Sequence, residues 1–340
     1  MREDVLLLLD RYRLALSDFL ERLKVGKIKS DVQYQQNLLV SLIEHYILCL
    51  DFYKRLEDFP SGPEKVFVFL PGNVPVIPFQ LLPFLLISGV KEVFFKYPRR
   101  EGSFYASLFQ VLNSYLGDSL KMEGGYLEHT IAFERAKNYR FVIGFGGESL
   151  QKVFEAFEIP SKFFGSKFSI GILQGKADKE VLERVAWDNL AFDTKGCLSL
   201  RVLFSFDRHM RNELWQAVEK VSKILPPESD FRFDESEYEV YKNFQFFEEI
   251  KKGSNYFIVF SKNFVELSAP RTLQIVEVSS IGEIEEFISR YNLYLQGIAS
   301  DGPILFQSNA SIITDFGKLQ FTPCNWYFEK GVNYKNFWEV

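Results

Sequence analysis

Two short stretches of this chain carry residue types that could do covalent chemistry together. Cys197 lies in FDTKGCLSLRVLF, directly after a glycine and directly before an apolar run. A thiol there has two readings, a small buried hydrophobe or a nucleophile. Gly196 permits a tight turn that would expose the sulfur, and Lys195 is placed to favour the thiolate. Asn73 lies in PGNVP, where an apolar strand feeds into a helix. Ligands of open α/β sheets gather at the C-terminal ends of such strands, so its amide could donate to an oxyanion. The competing reading is that Asn73 caps the helix that Pro75 opens.

The elements that must position these residues follow from pattern. Residues 1–58 read as helices, with Leu39, Leu42, Ile43, Tyr46 and Ile47 at helical spacing. KVFVFL, KEVFFKY and YRFVIGFGG are short apolar runs bounded by turn residues, alternating with helical segments. Gly146 and Gly147 end one run and open a helix whose N-terminus could face a pyrophosphate. A second series begins near Phe168: FSIGILQG, DKEVLERVAWDNLAF, CLSLRVLFSF, RNELWQAVEKVSKIL, NYFIVFS, TLQIVEV, IGEIEEFISRY and PILFQS. Alternation of this kind predicts parallel sheets covered by helices. The expected organisation is an N-terminal helical segment (1–58), a cofactor-binding domain (59–165), a catalytic domain carrying Cys197 (166–310) and an irregular tail docking on the body (311–340).

Composition narrows the function. Of 340 residues, 47% are hydrophobic and 25% charged, which allows large cores in two domains. A formal charge of −5 argues against a nucleic-acid binder. The three cysteines, Cys49, Cys197 and Cys324, are far apart and odd in number. This fits a reducing cytoplasm with separate thiols: Cys49 on an apolar helix face, Cys324 open to thiol reagents. With three histidines and no metal-ligand spacing, no metal site is expected, and His209 reads as a surface residue. The first segment is amphipathic and acidic, unlike a signal peptide. Val66–Val90 is free of charge but is interrupted by Pro71, Pro75, Pro78 and Pro83, so it reads as strand, turn and helix and not as a membrane span.

Taken in order, these pieces resemble the aldehyde dehydrogenase superfamily, and more closely its fatty acyl-CoA reductase (LuxC-like) branch in a short form. Pro71 to Lys96 resembles the Pro-x-Asn-x-Pro segment running to a cofactor-binding lysine. FGSK at 164–167 is similar to the pattern before the catalytic domain, and GFGGES to the branch's glycine turn. Glu266 stands four residues before Pro270, as a cofactor-contacting glutamate stands before its proline. Gln320, Pro323 and Trp326 match the terminal segment of short relatives.

The resemblance implies a two-domain aldehyde dehydrogenase-like α/β fold, with a parallel-sheet cofactor domain and an α/β catalytic domain. It implies that Cys197 attacks an acyl-CoA or other acyl thioester, with the oxyanion between the Asn73 amide and the Cys197 backbone N–H. Lys96, Gly146, Gly147 and Glu266 would hold the cofactor. Arg99, followed by Arg100, stands where an acidic residue often marks NAD preference. It suits a 2′-phosphate, so NADPH is expected ahead of NADH; the bland reading of KYPRR is a solvated basic loop. Where hydrolytic relatives carry the glutamate that activates water, this chain has Phe163, with Lys162 and Phe164 on either side. That favours reduction to an aldehyde over hydrolysis. The alternatives are reduction of a small acyl-CoA or an acyl phosphate, or a non-catalytic subunit that presents acyl groups to an acyl-transferring partner protein. Retention of both Cys197 and Asn73 counts against the last.

Overall fold

The computed structural model describes residues 2–28, 35–99, 102–156, 158–228, 239–240, 243, 247–267 and 269–339. Arg100 and Ser268 lie outside these. The chain divides into two compact units, Met1–Ser166 with Pro323–Val340, and Lys167–Thr322.

The first unit opens with two helices, α1 (Arg2–Lys24) and α2 (Gln36–Lys54). There follow β1 (Lys65–Phe69), α3 (Ile77–Ile87), β2 (Glu92–Lys96), α4 (Gly102–Leu116), β3 (Lys121–Gly125), α5 (His129–Ala136), β4 (Phe141–Phe145), α6 (Glu148–Ala156) and β5 (Ser161–Phe164). The strands form one sheet in the order β3-β2-β1-β4-β5, parallel throughout. β1 and β4 are central and covered on both faces, which is why their sequences are nearly all apolar. One face buries Phe67, Phe69, Phe94, Val142 and Phe154 together. α3 is buried from Pro78 to Ile87, including the in-helix Pro83. The uncharged stretch is therefore a strand, a turn and a short core helix. Among the described residues no helix is long and apolar enough to cross a membrane.

The second unit contains β6 (Phe168–Leu173), α7 (Lys179–Leu190), β7 (Leu200–Ser205), α8 (Arg211–Ile224), β8 (Phe247–Lys252), β9 (Phe257–Ser261), β10 (Thr272–Glu277), α9 (Ile281–Tyr291), β11 (Leu295–Ser300) and β12 (Ile312–Thr314). Its sheet runs β12-β11-β6-β7-β10-β9-β8, and only the edge pair β8–β9 is antiparallel. The run PILFQS is not a strand; LQGIAS just before it is β11. The irregular tail begins after β12, which joins the second sheet through pairs such as Gly297 with Ile312.

The expectation of three separate thiols is overturned. Cys49 on α2 and Cys324 in the tail form a disulfide, with Cα atoms 5.0 Å apart, and Cys197 is the free cysteine. A separation of 275 residues carries no information about proximity once the tail packs on the first unit. The tail is held there by further contacts. The Trp326 carbonyl accepts from Gln80 Nε2, and Trp338 Nε1 donates to Ser88 Oγ. Lys162 Nζ donates to the Phe337 carbonyl at 2.8 Å. Thiol titration of oxidised, denatured protein should count one reactive cysteine, rising to three after reduction; three before reduction would contradict the pairing.

Candidate active site

In the first unit the expected cofactor residues gather at the C-terminal ends of the central strands. Phe69 of β1 is in register with Lys96, the last residue of β2, and the Lys96 carbonyl accepts from Leu70 N. Asn73 lies in the turn that follows β1. The helix it was a candidate to cap starts at Ile77, with Val76 at its N-cap and no side-chain cap bond, so Asn73 is not that helix's cap. Lys96 is buried; burial pushes its ammonium pKa down, and the Glu128 carboxylate opposes that shift. Its Nζ lies 5.9 Å from the centroid of the Tyr126 ring, and Tyr126 donates to Glu128. Arg99 is exposed, near enough to act electrostatically on Tyr126. β4 runs into Gly146 and Gly147 and then α6, and nothing stands within 4 Å of where a Gly147 Cβ would be. Two cations, an aromatic face and an open glycine turn at a helix start are a donor set that fits a dinucleotide.

Phe163 and its neighbours are all engaged. In β5, Phe163 pairs with Gly144 of β4, and its ring lies so close that a Cβ on Gly144 would meet it at 2.0 Å. The ring also stacks on Phe154. Lys162 is bound to tail carbonyls and Phe164 stacks on Phe145. None of the three offers a carboxylate.

In the second unit the chain approaches Cys197 through a left-handed turn. Phe192, Asp193 and Thr194 have φ of 51°, 53° and 62°. This conformation costs a side-chain-bearing residue about 1 kcal/mol or more at each position, so the surroundings must hold it. The left-handed turn is built from non-glycine residues, and a second turn follows at Gly196, whose carbonyl accepts from the Ser199 N–H with Cys197 between them. Arg271, itself at φ 53°, clamps the turn. Its backbone N–H donates to the Asp193 carbonyl at 3.1 Å, and its Nη1 to Asp193 Oδ1 at 2.8 Å. Both side chains are fully buried. The guanidinium also donates to the carbonyls of Asn255 and Leu225. Thr194 Oγ1 bonds the Asn189 carbonyl, and Asn189 Nδ2 bridges the carbonyls of Leu200 and Thr272. Beyond the turn, the Cys197 carbonyl accepts from Ser169 Oγ at 2.9 Å.

Burial pushes the Cys197 thiol up to about 11, against its own backbone N–H, Lys167, the Leu198 N–H and Arg201, all of which pull it down. The Lys195 ammonium pairs with Glu228 at 3.2 Å and Asp193 at 3.5 Å, so the neighbouring lysine braces the turn. Glu266 is exposed and acts electrostatically on Arg201, which also acts on Cys197. Glu266 thus belongs with the nucleophile loop of this unit. His209 is exposed, as expected. Arg201 is the one residue of this group with a readable signal, a lone charge inside the apolar run CLSLRVLF.

A two-sheet α/β chain of this topology has an aldehyde dehydrogenase-like fold. The methylmalonate-semialdehyde dehydrogenase of Oceanimonas doudoroffii is similar at TM-score 0.73 and 13% identity, over 98% of this chain and 81% of that one. An oxidoreductase from Marinobacter aquaeolei is similar at TM-score 0.71 and 10% identity, over 93% and 78%. A 1-pyrroline-5-carboxylate dehydrogenase from Thermus with bound NAD is similar at TM-score 0.69 and 13% identity, over 94% and 74%. None of the curated protein sequences matches. The model of the acyl-CoA reductase (LuxC) family matches residues 37–315, and the chain belongs to that family. It is an oxidoreductase of acyl-CoA and aldehyde chemistry.

Proposed function

We propose that this enzyme reduces a long-chain acyl-CoA, or another acyl thioester, to the aldehyde with NADPH through an acyl-enzyme on Cys197. The observation that carries the reading is the placement of Cys197. It is the free thiol, set just ahead of β7 on a left-handed turn locked by the buried Asp193–Arg271 pair. Three left-handed residues just ahead of the cysteine support a reading in which the fold positions it for chemistry.

In this reading the Cys197 thiolate bonds to the thioester carbonyl carbon, and the carbonyl electrons move to oxygen. The Cys197 N–H and the Asn73 amide donate to that oxyanion. Its collapse expels the CoA thiolate and leaves the acyl-enzyme. A bound nicotinamide cofactor would supply the hydride. The resulting thiohemiacetal releases aldehyde and returns the thiolate. Phe163, half-buried against the core of the first unit, stands where hydrolytic relatives carry the glutamate that activates water, and residues 162–164 offer no carboxylate in its place, which supports reduction over hydrolysis. Lys96, Arg99, Gly146 and Gly147 would hold the cofactor, together with Glu266. Arg99 supports NADPH over NADH, and the long chain rests on the family resemblance.

The enzyme incubated with long-chain acyl-CoA should oxidise NADPH faster than NADH and release aldehyde with little free carboxylate. Oxidation of neither cofactor at any chain length would sink the reading. Asn73→Ala should slow turnover by about 10²–10³-fold while leaving the melting temperature in place. An unchanged rate would remove Asn73 from the chemistry.

A further inference from the structure

We propose that Arg201 is a positioning residue that acts through Cys197, its charge favouring the sulfur anion that attacks the thioester. The inference deepens the reading of Cys197 as nucleophile and rests on it.

Arg201 occupies an irregular place in β7. Ser169 of β6 pairs with Leu200, and Ile170 pairs with Val202, so Arg201 is the extra residue of a β-bulge. A bulge turns a side chain away from the alternation that the strand would impose. Ser169, at the same bulge, holds the Cys197 carbonyl through its hydroxyl, so the arginine and the nucleophile share one anchor. The Arg201 Nε is buried without a hydrogen-bond partner. A buried guanidinium donor with no bond to make is costly, and in a native fold such a group calls for an explanation beyond packing. Its charge acts on two groups, the Cys197 sulfur and the Glu266 carboxylate. The groups that face the sulfur and favour its anion are the N–H groups of Cys197 and Leu198, Lys167 ahead of β6, and Arg201. Burial works against them all. Glu266, from the segment between β9 and β10, competes for the Arg201 charge.

The test follows alkylation of Cys197 by iodoacetamide across a pH series, in the full chain, read by peptide mass spectrometry. Only the thiolate reacts, so the midpoint of the rate against pH reports the thiol directly. Arg201→Met should move that midpoint up by about one pH unit, cutting the rate at a fixed pH below it about ten-fold. Arg201→Lys should recover most of the rate, because charge and not shape is the active property. An unmoved midpoint in Arg201→Met, or Arg201→Lys as slow as Arg201→Met, would overturn the proposal. If Arg201→Met fails to fold, Glu266→Gln on its exposed segment decides. Freed of the competing carboxylate, Arg201 should then lower the midpoint, and an unmoved or higher midpoint would overturn the pairing. Alkylation needs neither acyl-CoA nor cofactor. An enzyme that shows these shifts yet never forms an acyl adduct would therefore overturn the proposed reaction and leave the Arg201–Cys197 coupling standing.

Discussion

Cys197→Ala is expected to abolish acyl-CoA-dependent cofactor oxidation, a loss on the order of 10⁴-fold or more, without unfolding the protein. The structural reason for the second half is that the sulfur is not what holds its loop. The Cys197 backbone is fixed by Ser169 Oγ on its carbonyl, and the next turn by the Ser199 N–H on the Gly196 carbonyl. Both survive the substitution. The reason for the first half is that the acyl bond of the proposed reaction forms on the Cys197 sulfur itself, which alanine lacks; nearby, Lys195 pairs with Asp193 and Glu228. Steady-state rates beside a circular dichroism melt would check both halves. Cys324→Ala provides the contrast: it removes a disulfide in the first unit and should leave turnover intact.

Arg271→Met is expected to cost about 3–5 kcal/mol of stability, because it removes the buried Asp193 carboxylate's nearer ion partner, leaving Lys195 at 3.5 Å, and strips the donors from the Asn255 and Leu225 carbonyls. It would also release the turn at Phe192, Asp193 and Thr194, so activity should fall with stability. Urea unfolding followed by fluorescence measures the first effect as a lower midpoint. The double variant Asp193→Leu/Arg271→Met should lose less than the sum of the single changes, since neither charge is then stranded. It should not recover fully. Asp193 Oδ2 also accepts from the Glu228 N–H and faces Lys195. A loss below about 1 kcal/mol for Arg271→Met would show that something else fixes the turn.

The central strands were legible because their chemistry is uniform: KVFVF and FVIGF are covered on both faces and read as buried parallel strands. β3, KMEGG, was not, because an edge strand with two charges, one apolar residue and two glycines has no apolar period. The exchange of PILFQS for LQGIAS has a similar cause. Gly297 weakens the apolar pattern of β11, yet a Cβ there would stand 2.8 Å from Ser169 Oγ and 2.9 Å from Leu319, so a larger residue would have to displace them. At the site, Cys197, Asn73 and the glycine turn were visible as residue types beside strand ends. Asp193 and Arg271 were not, because they lie 78 residues apart and each reads as an ordinary surface charge. Their burial exists only once β10 lies beside β7. The ion pairs of Lys195 were equally hidden: adjacency in sequence points to the thiol, and only the fold brings its ammonium to the buried acids Asp193 and Glu228.

The most direct test is intact-protein mass spectrometry after brief exposure to a long-chain acyl-CoA with no nicotinamide cofactor present. The expected result is one added acyl group, mapped by peptide fragmentation to Cys197 and lost on addition of NADPH with release of aldehyde. No adduct on Cys197, or one that appears unchanged in Cys197→Ala, would contradict the acyl-enzyme on which the proposed reaction depends.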